Sequence, residues 1–151
     1  FIYEHPVYWQ KIQEETKGSG DIERSTCLFI DSENAREHTE EEMIPVENIK
    51  GRLFLVGAED DSFWETGKYI RRMDERLKER PHTCEYVPLV YEHGTHFVLP
   101  ESLLRKALPV GLKFVMRFIF KAAKEYPNEC EKTRKDIDRR LSSALKEWRE
   151  E

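Results

Sequence analysis

The sequence predicts an α/β fold with few parallel strands, a βαβ unit and flanking helices. Three segments carry this prediction: a continuous apolar run over residues 52–57, a helical pattern that ends before Pro81, and a second strand-like run over residues 84–91. A strand, a helix and a strand of these lengths are typical of two parallel strands joined by a crossover helix. The chain has 151 residues, which suits one domain of ordinary size.

Composition narrows the classes of function. The net charge is −5 and 36% of the residues are charged, which argues against a general nucleic-acid-binding protein. The longest apolar stretch, residues 114–120, is interrupted by Arg117, so no membrane partner is expected. Cys27, Cys84 and Cys130 are odd in number and widely spaced, which argues against a disulfide framework and favours the reducing cytoplasm.

The first strand and the crossover helix are well marked. The run from Arg52 to Gly57 is apolar without alternation, as in a strand buried on both faces of a parallel sheet. Ser62 and Glu65 have the spacing of a capping box, which predicts that a helix begins there. The buried face of that helix is expected to contain Ile70, Met73 and Leu77.

The second strand contains Pro88, which cannot donate to a ladder and therefore predicts an edge position or a bulge. Two parallel strands with apolar faces do not form a stable sheet alone. Either residues 1–43 contain further strands or the chain is one part of a larger fold.

Two amphipathic helices follow. The first is expected to bury one face opposite its lysines, made of Leu112, Val115, Phe118, Ile119 and Ala122. The second should be capped by Asn128 with Glu131 and carry the ion pairs Glu131–Lys135 and Asp136–Arg140. Its predicted buried stripe is Ile137, Leu141, Ala144, Leu145 and Trp148.

Residues able to carry chemistry follow the two strands. Asp60 and Asp61 come after the first strand, and His96 comes after the second. In open α/β sheets, ligands and catalytic groups gather beyond the carboxyl ends of the strands. An acid after one strand and a histidine after the next is the chain order of an α/β-hydrolase.

Three motifs extend this likeness: Ile44-Pro45-Val46-Glu47-Asn48-Ile49, Gly57-x-x-Asp60-Asp61-x-x-Trp64 and Gly94-Thr95-His96. Over about residues 44–100 they resemble the C-terminal region of the acyl-CoA thioester hydrolase and bile-acid-CoA:amino-acid N-acyltransferase family. The resemblance implies that residues 44–151 are the C-terminal half of an α/β-hydrolase fold. Residues 1–43 would then be a variable insertion or cap segment.

The resemblance also implies the chemistry. Asp61 matches the catalytic acid and His96 the catalytic histidine, while a serine or cysteine attacks the thioester of an acyl-CoA or another acyl ester. No cofactor and no metal are implied. Trp64 is the candidate wall of the acyl pocket, with packing in the core as the plainer alternative.

The nucleophile is the missing part. Ser19, Ser25 and Ser32 lack the glycines of a nucleophile elbow, and Cys27 follows no tight strand-to-helix turn. We therefore expect the chain to be inactive alone and to need a missing N-terminal half of the fold or a second chain as its partner.

Other interpretations stay open. Both aspartates could cap the following helix; this interpretation is favoured for Asp60, whereas the catalytic one is favoured for Asp61. A zinc site built from His82, Cys84, His93 and His96 lacks recognisable ligand spacing. Within the same fold, an amino-acid N-acyltransferase or a carboxylic-ester hydrolase or peptidase is the alternative function. In another class, the βαβ unit is a non-catalytic assembly module.

Overall fold

The computed structural model describes residues 39–150, and these confirm the α/β prediction. Two parallel strands, β1 (Arg52–Ala58) and β2 (Glu85–Tyr91), are joined by helix α1 (Thr66–Glu79). The register runs without interruption from Arg52 opposite Glu85 to Ala58 opposite Tyr91. Pro88 therefore causes no bulge, and within the described part of the chain β2 is an edge strand, as its proline predicted.

Four helices follow the sheet: α2 (Glu101–Ala107), α3 (Leu112–Ile119), α4 (Lys121–Glu125) and α5 (Pro127–Glu150). Ahead of β1 lie two 3₁₀ turns, Glu40–Glu42 and Val46–Asn48. None of the helices within residues 39–150 has the length and apolar character that crossing a bilayer requires.

The core consists of three apolar clusters. One lies under α1 at the start of the strands and is built from Val46, Leu77 and Cys84. A second lies where the strands end and contains Ala58, Val98 and Ile137. The third lies among the later helices and is formed by Leu104, Leu112, Met116, Phe120 and Ala123, with Phe63 and Phe97 packed against it. The last two clusters support the loops that follow β1 and β2.

Helix α1 begins later than the sequence predicted. Its first residue is Thr66 with Glu65 as the N-cap, and the Ser62–Glu65 capping box is wrong. The Ser62 hydroxyl is buried and has no hydrogen-bond partner among residues 39–150. The reason is that the Asp61 carboxylate accepts the Phe63 and Trp64 amides and bends the chain before the helix. The buried face is as predicted: Ile70 and Leu77 are buried, with Met73 packed beside them.

The buried face of α3 agrees with the prediction in part. Leu112 is buried and Ile119 packs against the third cluster, whereas the predicted core residue Phe118 is 74% exposed. Met116, one turn after Leu112, is buried in its place. The helix ends before Phe120, whose φ of −114° and ψ of 125° are extended, and this buried residue separates α3 from α4.

Helix α5 begins at Pro127, so Asn128 is not its cap. Proline suits the first helical position because that residue needs no intrahelical amide partner. Both predicted ion pairs are present, Glu131–Lys135 at 2.8 Å and Asp136–Arg140 at 2.6 Å. Of the predicted stripe, Ile137 is buried, Leu141, Ala144 and Trp148 are half-buried, and Leu145 is 53% exposed. The fully buried residues of the helix all lie in its first half.

Candidate active site

Asp61 and His96 meet beyond the carboxyl ends of the two strands. His96 Nδ1 lies 3.1 Å from Asp61 Oδ2 and 3.3 Å from Oδ1. The Asp61 side chain is fully buried, whereas that of His96 is 24% exposed. An ionised carboxylate can only accept, so this contact fixes the proton on Nδ1 and leaves Nε2 as the basic nitrogen.

Three further donors orient the Asp61 carboxylate. The backbone amides of Phe63 and Trp64 donate to Oδ1 at 3.0 and 3.2 Å. The hydroxyl of Thr66 donates to Oδ2 at 2.8 Å. These contacts fix the orientation of the carboxylate, so that Oδ2 is presented to the imidazole of His96.

Thr66 is a site residue that sequence reasoning missed. Besides bonding Asp61, its hydroxyl oxygen accepts the Ala58 amide at 3.1 Å, so it ties the end of β1 to the first residue of α1. Gly57 permits this approach, because a Cβ there would lie 2.7 Å from the Thr66 carbonyl oxygen. A threonine at the start of a helix, soon after a candidate acid, was the signal in the sequence.

Three aromatic rings surround the His96 imidazole. Phe63 stacks on it with 5.0 Å between ring centroids, and Trp64 meets it edge-on at 4.9 Å. Phe97 contacts it edge-on at 5.8 Å. Trp64 is 44% exposed, so the core-packing alternative for this residue is wrong. The rings restrict the orientation of the imidazole and give the site an apolar border.

Asp60 does not cap α1. Its Oδ1 accepts the amides of Gly94 and Thr95 at 2.9 and 2.8 Å, and its Oδ2 lies 3.2 Å from His93 Nδ1. The two neighbouring aspartates therefore serve different partners, Asp61 the imidazole of His96 and Asp60 the loop that carries it.

None of the serine or cysteine side chains within residues 39–150 hydrogen-bonds to His96. Burial, together with the charge of Asp60, raises the pKa of the Cys130 thiol to about 11, which leaves it protonated at neutral pH. Cys84 lies at the other end of β2, with its sulfur 3.3 Å from His82 Nδ1. The nucleophile candidates Ser19, Ser25, Cys27 and Ser32 lie outside the described residues.

The zinc alternative also lacks support in the geometry. His82 contacts Cys84, whereas His93 and His96 contact different aspartates. No group of three or more histidine, cysteine, aspartate or glutamate side chains in the part of the chain that the structure describes is arranged to hold a metal ion.

Comparison with known proteins gives one family. Residues 8–102 match the family model described as BAAT / acyl-CoA thioester hydrolase C terminal. The match contains both aspartates, His96 and the two strands, and it begins well before residue 44, where the motif resemblance began. No curated protein and no solved structure matches the chain.

Proposed function

The chain belongs to the BAAT / acyl-CoA thioester hydrolase C-terminal family, and from this membership we propose that Asp61 and His96 are the acid and base of an acyl-CoA thioester hydrolase. The observation that carries the proposal is the contact between His96 Nδ1 and the fully buried Asp61 carboxylate, in an imidazole that is itself partly exposed. A histidine oriented in this way has Nε2 available for proton transfer.

In the proposed mechanism, His96 Nε2 removes the proton of a serine or cysteine nucleophile as it attacks the thioester carbonyl. The resulting imidazolium is stabilised by Asp61 and then protonates the departing CoA thiolate. Water, deprotonated by the same nitrogen, hydrolyses the acyl-enzyme. The nucleophile and the oxyanion hole come from outside residues 39–150, either from an upstream half of the fold or from a second chain.

Trp64 is proposed to border the acyl chain. Its ring is 44% exposed and touches the imidazole edge-on, so a thioester within reach of His96 would pass beside it. The free thiols of Cys84 and Cys130 agree with a reducing compartment, and we propose the cytoplasm as the location.

The test is thiol release from a panel of acyl-CoAs. It is measured for the chain alone and for the chain joined to the nucleophile-bearing upstream half of a thioesterase of this family. We expect release from the joined protein, and His96→Ala or Asp61→Asn should reduce turnover on the order of 10⁴-fold. His82→Ala is the matched control, since His82 lies at the other end of β2 and should leave turnover unchanged.

Near-normal turnover in both Asp61→Asn and His96→Ala, with the protein folded, would contradict the proposal. Adding glycine to the assay separates the transferase alternative, because an N-acylated amino acid would form instead of the free acid. The assembly-module alternative predicts a concentration-dependent mass by light scattering and no dependence of any turnover on His96.

A further inference from the structure

The backbone of the loop that carries His96 is bound by the side chain of Asp60, which lies two residues after the end of β1. Asp60 accepts hydrogen bonds from the amides of Gly94 and Thr95 at 2.9 and 2.8 Å through one oxygen. Its second oxygen lies 3.2 Å from His93 Nδ1. Three successive residues, immediately before His96, are therefore bound to one carboxylate that is itself mostly buried.

The backbone held by Asp60 is unusual. Thr95 has a φ of +61°, in the left-handed region that β-branched residues rarely adopt, and it is completely buried. Its hydroxyl oxygen accepts the Phe97 amide at 3.2 Å, so the turn continues directly past His96. A residue in this conformation needs external contacts to keep it there, and the bond from the Thr95 amide to Asp60 is such a contact.

Other contacts hold the beginning of the loop. The His93 ring stacks on Tyr126 at 3.8 Å, and Thr133 donates to the His93 carbonyl at 2.5 Å. Gly94 has no room for a side chain, because a Cβ there would lie 2.5 Å from Val98 Cγ1. Thr133 thus anchors His93 to α5, whereas Asp60 joins the loop to the segment after β1 that also contains Asp61.

We propose that Asp60 is a positioning residue that acts through the Gly94 and Thr95 amides to hold His96 Nδ1 against Asp61. It need not touch substrate. This inference rests on the proposed function of His96. The orientation of the imidazole that Asp60 is proposed to maintain can be measured independently of that function.

Nuclear magnetic resonance of the full chain tests this without turnover. The imidazole ¹⁵N shifts of His96 report its tautomer, and hydrogen exchange reports the protection of the Gly94 and Thr95 amides. In Asp60→Ala we expect both amides to exchange about ten- to a hundredfold faster and His96 to lose its preference for the Nδ1–H tautomer. In Asp60→Asn the retained oxygen should preserve the tautomer with intermediate protection of the amides.

Glu59→Gln is the matched control, because it neutralises the adjacent carboxylate, which pairs with Arg71 on the surface and not with the loop. Glu59→Gln should leave the His96 tautomer and the exchange rates of the Gly94 and Thr95 amides as they are in the parent chain. Wild-type exchange and an unchanged His96 tautomer in folded Asp60→Ala would overturn the proposal. If Asp60→Ala does not fold, Asp60→Asn decides: parent-like exchange at both amides would overturn it equally.

This result is separable from the proposed function. If the tautomer and the amides respond to Asp60 while His96→Ala does not affect thiol release, the catalytic assignment fails and the positioning role stands. If His96 is essential for release but does not respond to Asp60, only the positioning role fails.

Discussion

Four donors converge on the Asp61 carboxylate, and the Thr66 hydroxyl is the one that a substitution can remove without changing the imidazole. The change Thr66→Val keeps the shape of the side chain but leaves the Ala58 amide without its hydroxyl acceptor, and His96 Nδ1 becomes the only donor to Asp61 Oδ2. We expect it to lower the free energy of unfolding by about 1–3 kcal/mol and to reduce turnover of the joined enzyme by roughly tenfold or more. Urea unfolding and thiol release measure the two effects.

Thr66→Ser keeps the hydroxyl and should restore most of both properties. If the valine and serine variants released thiol at the same rate, the bond from Thr66 to Asp61 would have no role in orienting the carboxylate.

At the residue scale, the sequence predicted the central pair and missed what holds it. An acid after β1 and a histidine after β2 were predicted to meet because the carboxyl ends of parallel strands share one edge of the sheet. The family resemblance indicated Asp61 and His96 as that pair. The roles of Asp60 and Thr66 depend on contacts between distant loops and on a helix start that shifted by several residues. Local spacing gave only a weak signal for Thr66, as a threonine soon after a candidate acid, and it favoured helix capping for Asp60.

The 3₁₀ turn Val46–Asn48 is fastened to helix α1 by a charged clamp. Both oxygens of the Glu47 carboxylate accept hydrogen bonds from the Arg76 guanidinium, at 2.5 and 2.6 Å. Arg80 donates a further hydrogen bond to Glu47 at 3.0 Å. These bonds explain the glutamate of the Ile-Pro-Val-Glu motif in structural terms. The hydrogen bonds from Arg76 lower the pKa of the Glu47 carboxyl to about 2.

The clamp predicts a pH dependence of stability. The pKa of Glu47 is lower in the folded chain than in the unfolded chain, so its contribution is fully present above the unfolded pKa of about 4.5. The contribution is lost as the pH falls through the folded pKa of about 2. Glu47→Gln should therefore make the fall in stability between these pH values shallower than in the parent, as measured by urea unfolding at a series of pH values.

Glu85→Gln is the control for the clamp, since Glu85 also pairs with an arginine but is 73% exposed. It should change the acid slope much less. An acid slope of Glu47→Gln equal to that of the parent would contradict a stabilising role for the clamp.

The contact between β1 and α1 gives a second prediction at the scale of elements. A Cβ on Gly57 would lie 2.7 Å from the Thr66 carbonyl oxygen and 2.9 Å from Ile70 Cγ1. Gly57→Ala must therefore push the helix from the strand, and we expect the free energy of unfolding to fall by about 1–3 kcal/mol. A thermal midpoint unchanged from that of the parent would contradict this close approach.

Strands and helix ends, which short apolar runs and prolines mark in the sequence, were predicted better than the buried faces of the helices, which were predicted from apolar periodicity. The strands were found as short apolar runs, and Pro81 marked the end of α1 correctly, since the helix ends at Glu79. The face of α3 was predicted correctly at Leu112 and Ile119 and wrongly at Phe118, which is 74% exposed. Apolar residues lie on more than one side of this helix, so the apolar pattern alone did not show that Met116 is buried and Phe118 is not.

For the molecule as a whole, the sequence predicted a parallel pair but not how the later helices join it. Polar contacts fasten α5 to the rest, among them Tyr91 to Asp136 at 2.8 Å, Thr133 to the His93 carbonyl, and Arg134 to Glu101. The predicted stripe began at Ile137, which is buried, because the prediction weighed apolar residues alone. The helix also buries Thr133 and Arg134, polar residues that a search for apolar periodicity passes over.

The buried pair of Arg134 and Glu101 joins α5 to α2. Arg134 Nε lies 2.7 Å from Glu101 Oε2, and the two residues are only 2% and 5% exposed. Removing Arg134 leaves the buried Glu101 with the half-exposed Arg105, at 2.8 Å, as its ionic partner. We therefore expect Arg134→Met to lower the free energy of unfolding by about 3 kcal/mol, the lower end for a broken buried pair. Replacing both charges, in Arg134→Met with Glu101→Leu, should cost clearly less than the single change, because no buried charge then remains.

Urea unfolding of the parent, the two single variants and the double variant forms the cycle that isolates this coupling. Because α5 also carries Thr133, which holds the His93 carbonyl, the docking of the helix bears on the loop before His96. The single variant should accordingly increase hydrogen exchange at Thr95, and the double variant should restore protection. Additive losses, with the double variant as unstable as the sum of the singles, would show that the pair does not couple α5 to α2.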